Sequence, residues 1–199
     1  MRSAATYSQS MTSEPVQARD VAAEIRRRLP AIGAKKLHKL LYYAQAHHLA
    51  AFGQQLFVQS ISAWDMGPVV AAFWHEEQTP GDAPDAAALD QAGRNTLGYV
   101  VRRYGRLTGR DLEVLSQGEL PWQEADHRRK LVGDQSARIS PATMIEYFSA
   151  DADKDETALD PTELDAMFAD AAQSSRQARG EPDDLDGLRR RLLDWQQSA

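Results

Sequence analysis

Apolar positions recur along most of this chain at steps of three and four, the spacing of helices that each bury one face. The clearest run is Leu37, Leu40, Leu41, Ala44, His48 and Ala51, which falls on one side of a helix. Gly53 stands where a left-handed cap would close it. Ahead of it, Val21, Ile25 and Leu29 predict a shorter helix ended by Pro30. Behind it, Leu56, Phe57, Val58, Ile61 and Trp64 form a short apolar, β-prone stretch, for which a loop and a small hairpin both stay open. Asp65-Met66-Gly67-Pro68 reads as a helix start, with glycine supplying an unusual backbone angle and proline suited to the first helical position. Val69, Val70, Phe73 and Trp74 then give the next apolar face.

The second half continues the rhythm. Thr79–Ala88 is a linker by composition. Leu97, Val100, Val101 and Tyr104 mark another helix, and Thr108 with Asp111 has the spacing of a capping box opening a helix that carries Leu112 and Leu115 and stops near Gly118. Pro121-Trp122 starts a short segment. Ser140-Pro141 caps a further helix with Ile145 and Phe148 inward. Asp160-Pro161-Thr162-Glu163 begins one with Leu164, Met167, Phe168 and Ala171 on its stripe. After Gly180-Glu181-Pro182, the residues Leu185, Leu188, Leu192 and Trp195 form a last amphipathic helix. Helices and short loops with no βαβ alternation place the chain in the mainly α class. No internal repeat interrupts it.

Composition narrows the picture. The 199 residues contain no cysteine, which excludes disulfides and thiolate metal sites and suits a reducing compartment. The opening residues are polar and carry no secretory signal pattern, and no apolar run is long enough for a membrane helix, so the expectation is a cytoplasmic protein with no membrane insertion. The net charge of −6 is uneven: +1 through Ala150 and −7 from Asp151 onward. An acidic tail argues against general nucleic-acid binding. The chain divides into a disordered leader (1–16), a compact helical domain (17–149) and an acidic extension (150–199) carrying the last two amphipathic helices.

Catalytic and metal chemistry find little support. Asp151, Asp153 and Asp155 alternate as in an EF-hand loop, but Glu156 replaces the required glycine and Thr162 the bidentate carboxylate. His47 and His48 are neighbours that point about 100° apart on a helix, and no HExxH accompanies them or His38 and His75. There is no GxSxG, no phosphate loop and no dinucleotide fingerprint. The reading is a protein with no catalytic residues, no metal and no cofactor.

Binding chemistry is better represented. Lys35, Lys36 and Lys39 open the second helix just after Arg26–Arg28, a cluster that is either a solvated face or a contact for an acidic partner or nucleic acid. Tyr42 and Tyr43 follow, one near the apolar stripe and one at its margin, suited equally to an interface anchor and to a core aromatic with its hydroxyl at the surface.

Several of these segments together resemble one family. KLHKLLYYAQAHH (36–48), Leu56-Phe57, ISAWDMGPVV (61–70), VVRRYGRLTGRDL (100–112), LSQGELPWQEA (115–125) and the Ile139–Phe148 segment stand in the order and spacing of the Panacea domain, also described as GepA-like or SocA-like. The resemblance covers about residues 20–149. It implies a compact, mostly helical antitoxin domain from two-gene toxin–antitoxin systems of bacteria or phage. The partner it implies is a toxin protein encoded by a neighbouring gene and neutralised by direct contact. One branch resembles a proteolytic adaptor that delivers its toxin to an AAA+ protease, the alternative reading here. Leu37, Leu40, Leu41, Trp64, Pro68, Val69 and Trp122 are expected to mark the core, and Lys36, Lys39, Tyr42 and Tyr43 to be candidate toxin contacts. Position 38, often a polar amide in the family, is histidine here. In the extension, Leu185, Leu188, Leu192 and Trp195 complete the candidate contacts, as a stripe that packs either in a partner's groove or back on the domain.

Overall fold

The strongest periodic segment of the sequence becomes the axis of the molecule. Helix α2 (Ala34–Phe52) is packed by α1 (Ala18–Arg28), α4 (Gln91–Tyr104), α5 (Gly109–Gly118), α7 (Pro141–Asp151) and strand β2 (Gly67–Val69). The structure is a computed structural model that describes residues 14–78, 84 and 88–151. Within them, α3 (Ala71–Glu76) and α6 (Leu120–Val132) complete seven helices, and β2, β1 (Ser62–Trp64) and β3 (Ala137–Arg138) form an antiparallel sheet in the order β2-β1-β3.

The mainly α expectation holds, and the open choice after α2 resolves as a hairpin. Ser62 pairs with Val69 and Trp64 with Gly67 across a turn at Asp65-Met66. The predicted helix start at Gly67-Pro68 is therefore corrected. Gly67 does take a positive φ of 91°, but it uses it to turn the chain back into β2, and the helix begins only at Ala71. Pro68 is tolerated because it sits on the edge strand of the sheet, where its missing N–H breaks no ladder.

Other elements follow their sequence signals closely. Gly53 closes α2 at φ 67°. Asp111 and Thr108 exchange both bonds of the predicted capping box, Thr108 N–H to Asp111 at 2.7 Å and Asp111 N–H to the Thr108 hydroxyl at 3.2 Å. Pro121-Trp122 opens not a short segment but the thirteen-residue α6, with proline in its first turn. In α7, Met144 and Phe148 are buried and Ile145 only partly so.

The one-sided stripe of α2 needs the largest revision. From Leu37 to Ala46 every residue is buried, Lys39, Tyr42 and Tyr43 included. A helix enclosed by five elements has no solvent face left over that stretch. Val16, at the end of the predicted leader, bridges Phe57 in parallel: its N–H donates to Leu56 and its carbonyl accepts from Val58. The rest of that leader up to residue 13, most of the linker and the extension beyond Asp151 lie outside the described residues.

Candidate functional site

Lys35, His38 and Lys39 are spaced by three and four at the start of α2, so they project to one side of it. Against that side the β1–β2 hairpin brings Trp64, Asp65 and Met66, and α3 brings Trp74. Arg129 from α6 and the turn at 134–136 complete the wall of a cavity of about 520 Å³. Trp64 and Trp74 meet edge to face with ring centres 5.8 Å apart, and the Trp64 indole N–H donates to the Ser136 hydroxyl at 3.1 Å. Exposure falls from Asp65, Asp134 and Gln135 at the rim to Lys39, 1 % exposed, at the base.

Gly67 is what lets Lys39 lie there. A methyl group at position 67 would stand 2.9 Å from the lysine Cε and 3.1 Å from its Nζ. The amine donates to the Pro68 carbonyl at 3.0 Å and makes no ion pair among the described residues. Burial accordingly lowers its pKa to about 7, with Glu113 opposing the shift and Lys35 adding to it. The other cations of the cavity are matched. Lys35 pairs with the buried Glu113 at 3.0 Å, and Arg129 pairs with Asp126 and Asp65.

His38 accepts from the Val70 N–H through Nδ1 at 3.3 Å, and its Nε2 faces Glu77 at 3.6 Å. Burial lowers its pKa, partly offset by Glu77. Histidine at 38 thus ties α2 to the end of β2 by a hydrogen bond and to α3 by packing on the Phe73 ring, with ring centres 5.5 Å apart. The other two histidines of α2 are engaged elsewhere: His47 with the Tyr104 hydroxyl and His48 with the Thr96 hydroxyl, both at 2.9 Å. Among the described residues no group of three or more potential ligands is arranged to hold a metal ion, and no helix is long and apolar enough to cross a membrane.

The candidate contacts of the sequence fare unequally. Tyr42 and Tyr43 are fully buried, not marginal, and both hydroxyls donate to Glu119, at 2.7 and 2.9 Å. Adjacent side chains on a helix converge this way because Glu119 lies at the junction of α5 and α6 beside α2. Tyr43 also stacks on Tyr104 with ring centres 4.0 Å apart. Burial first, and the Glu119 charge with it, hold the Tyr42 and Tyr43 hydroxyls well above the ordinary tyrosine range. Lys39 is likewise interior, contrary to its expected exposure. Lys36 alone of the four is half-buried, donating to the Gly105 carbonyl at the end of α4 at 2.7 Å. Leu185, Leu188, Leu192 and Trp195 lie outside the described residues.

The cavity as a unit was not foreseen. Trp64 and Trp74 had periodicity enough to be read as core, while Arg129 sits in the run Asp126–Lys130, whose charges look like an ordinary solvated face. Only the hairpin turn, which periodicity left open, brings these residues together.

Fold and site together define a mainly helical domain organised round one buried helix. Residues 37–123 match the family described as antitoxin SocA-like, Panacea domain. The Panacea resemblance is thereby supported over that segment, which spans α2 to the first turn of α6, and the match supports an antitoxin role in general terms. No curated protein and no solved structure matches the chain.

Proposed function

We propose that this protein is the antitoxin of a toxin–antitoxin pair, acting in the cytoplasm by binding its toxin directly and not by catalysis. The observation that carries the reading is the match of residues 37–123 to the SocA-like antitoxin family. The absence of nucleophile, phosphate-loop and metal motifs from the sequence supports binding over chemistry. In this reading the enclosed α2 is scaffold. The toxin is held by the surface around the enclosed stretch of α2, with the half-buried Lys36 in the first turn of that helix and the apolar positions Leu185, Leu188, Leu192 and Trp195 of the acidic extension as candidate anchors.

The test is co-expression with the product of the neighbouring gene, scoring growth rescue and co-purification, for the full chain and for a chain ending at Ala150. Rescue accompanied by a stable complex supports neutralisation by occlusion, and loss of both on truncation assigns the contact to the extension. Rescue in which the toxin is instead rapidly degraded would replace occlusion by delivery to a protease. Absence of both rescue and complex overturns the antitoxin reading.

A further inference from the structure

The cavity beside α2 has a chemistry that a purely structural void lacks. Its size falls in the range of small-molecule sites, and it combines aromatic walls and a mainly apolar surface with charged side chains around them. Lys35 and Arg129 are already neutralised by Glu113, Asp126 and Asp65. Lys39 is in no ion pair among the described residues: an ammonium has three donors, this one meets a single carbonyl, and the Glu113 charge acts on it without direct contact. A buried lysine that served packing alone would be replaced by methionine at no loss, since an amine without an anion costs desolvation and returns little. The backbone even makes room for it, because Gly67 leaves the space its Cε and Nζ occupy.

We propose that this cavity binds a small carboxylate carried on a flat apolar body, the body resting against Trp64 and Trp74 and the carboxylate meeting the Lys39 amine. One uncompensated cation suits one negative charge. A phosphate dianion would have only that one cation to hold it, since Lys35 and Arg129 are already in ion pairs. The bond is strong where it forms because Lys39 is removed from water, while Asp65 and Asp134 at the exposed rim are screened. The site is independent of how a toxin is held.

The test uses the full chain and two probes with the same body, 3-phenylpropionate and 3-phenylpropionamide, in calorimetric titrations repeated in buffers of different ionisation enthalpy. The carboxylate is expected to bind at least about tenfold more tightly than the amide, the difference a buried charged hydrogen bond makes. Lys35 on its own helix and Glu113 on α5 act on Lys39, Lys39 acts on His38, and Asp65 on the hairpin, Arg129 on α6 and Asp134 on the turn after α6 share the cavity lining with it. Lys39 has a pKa of about 7, and burial lowers that of His38. Binding at about pH 8 should therefore take up close to one proton per carboxylate, and at about pH 6, where the amine is already charged, almost none. The amide should take up none at either pH. In Lys39→Met the preference for carboxylate and the proton uptake should both vanish while amide binding remains. Should that variant fail to fold, the proton uptake of the unaltered protein decides alone. Equal affinity for the two probes, carboxylate binding without proton uptake near pH 8, or no binding of either up to about millimolar concentration overturns the proposal.

Discussion

Gln45 holds the segment that leaves α2, and its removal has a calculable cost. It is 4 % exposed, and its side-chain oxygen accepts from the Leu56 N–H at 2.9 Å and the Phe57 N–H at 3.1 Å. Its side-chain nitrogen donates to the Phe57 carbonyl at 3.1 Å. Gln45→Leu preserves size and deletes all three bonds, leaving two N–H groups and a carbonyl without partners beside residues that are almost wholly buried. Each such orphan costs about 1–3 kcal/mol. The three together cost about 3–9 kcal/mol and the apolar burial gained by leucine returns about 1.5–3 kcal/mol, so the net loss should be about 1.5–6 kcal/mol, a large part of the ~5–15 kcal/mol that holds a domain folded. Urea unfolding followed by tryptophan fluorescence measures it, with the exposed Gln54→Leu as control, expected to change stability by less than about 0.5 kcal/mol. Hydrogen exchange at the amides of Leu56 and Phe57 should accelerate in parallel. A loss below about 1 kcal/mol with unchanged exchange would show that water or a shifted backbone satisfies these groups, and the clamp argument would fail.

Three further outcomes follow from particular contacts. Gly67→Ala forces a Cβ onto a backbone at φ 91° and into the Lys39 side chain; thermal unfolding should report a loss of about 1–3 kcal/mol, and an unchanged midpoint would refute the close approach. Thr108→Ala removes the acceptor for the Asp111 N–H and should cost about 1 kcal/mol in chemical denaturation, the effect of an N-cap. Lys39 makes stability rise with pH: its folded pKa of about 7 lies below the unfolded value of 10.5, so the unfolded chain binds more protons between them. From about pH 7 to about pH 10 that group should add up to about 1.4 kcal/mol per unit, a rise absent from Lys39→Met. Parallel pH profiles for the two proteins would contradict it. Tyr42, Tyr43 and Tyr104 have raised folded pKa values, so their effect, a loss of stability, sets in as unfolded tyrosines ionise around pH 10 and is common to both proteins.

Much of the fold was legible because its signals are local. The caps at Gly53 and Thr108 and the helices around Val21–Ile25, Leu37–Ala51 and Leu97–Tyr104 each follow from neighbouring residues. What was misread depends on distant partners. Gly67-Pro68 satisfies the chemistry of a helix start and of a hairpin return alike, and pairing with Ser62–Trp64 selects the second. Strand β3 has two residues and exists only because β1 is there to pair with it. The length of α6 was hidden for a similar reason: Ala125, Asp126 and Arg129 are buried, but two of the three are charged and read as surface.

The same limit governs the site. The segment that most strongly carries the family resemblance, residues 36–48, is also the most enclosed part of the molecule. Its lysine and tyrosines looked like contact residues because charge and hydroxyl groups usually face water, yet Glu119 and the Pro68 carbonyl draw them inward. Motifs of this kind therefore report the scaffold. Tyr42 and Tyr43 orient α2 against the α5–α6 junction, Lys36 ties it to the end of α4, and His38 ties it to the end of β2 and to α3. A shared scaffold assembled from these ties can carry different outer surfaces without altering its core. On the proposed reading, and Lys36 apart, the contacts to a protein partner are to be sought in residues the resemblance does not mark, the exposed faces and the acidic extension, whereas the cavity proposed for a small ligand takes Lys39, Trp64 and Asp65 from segments the resemblance does mark.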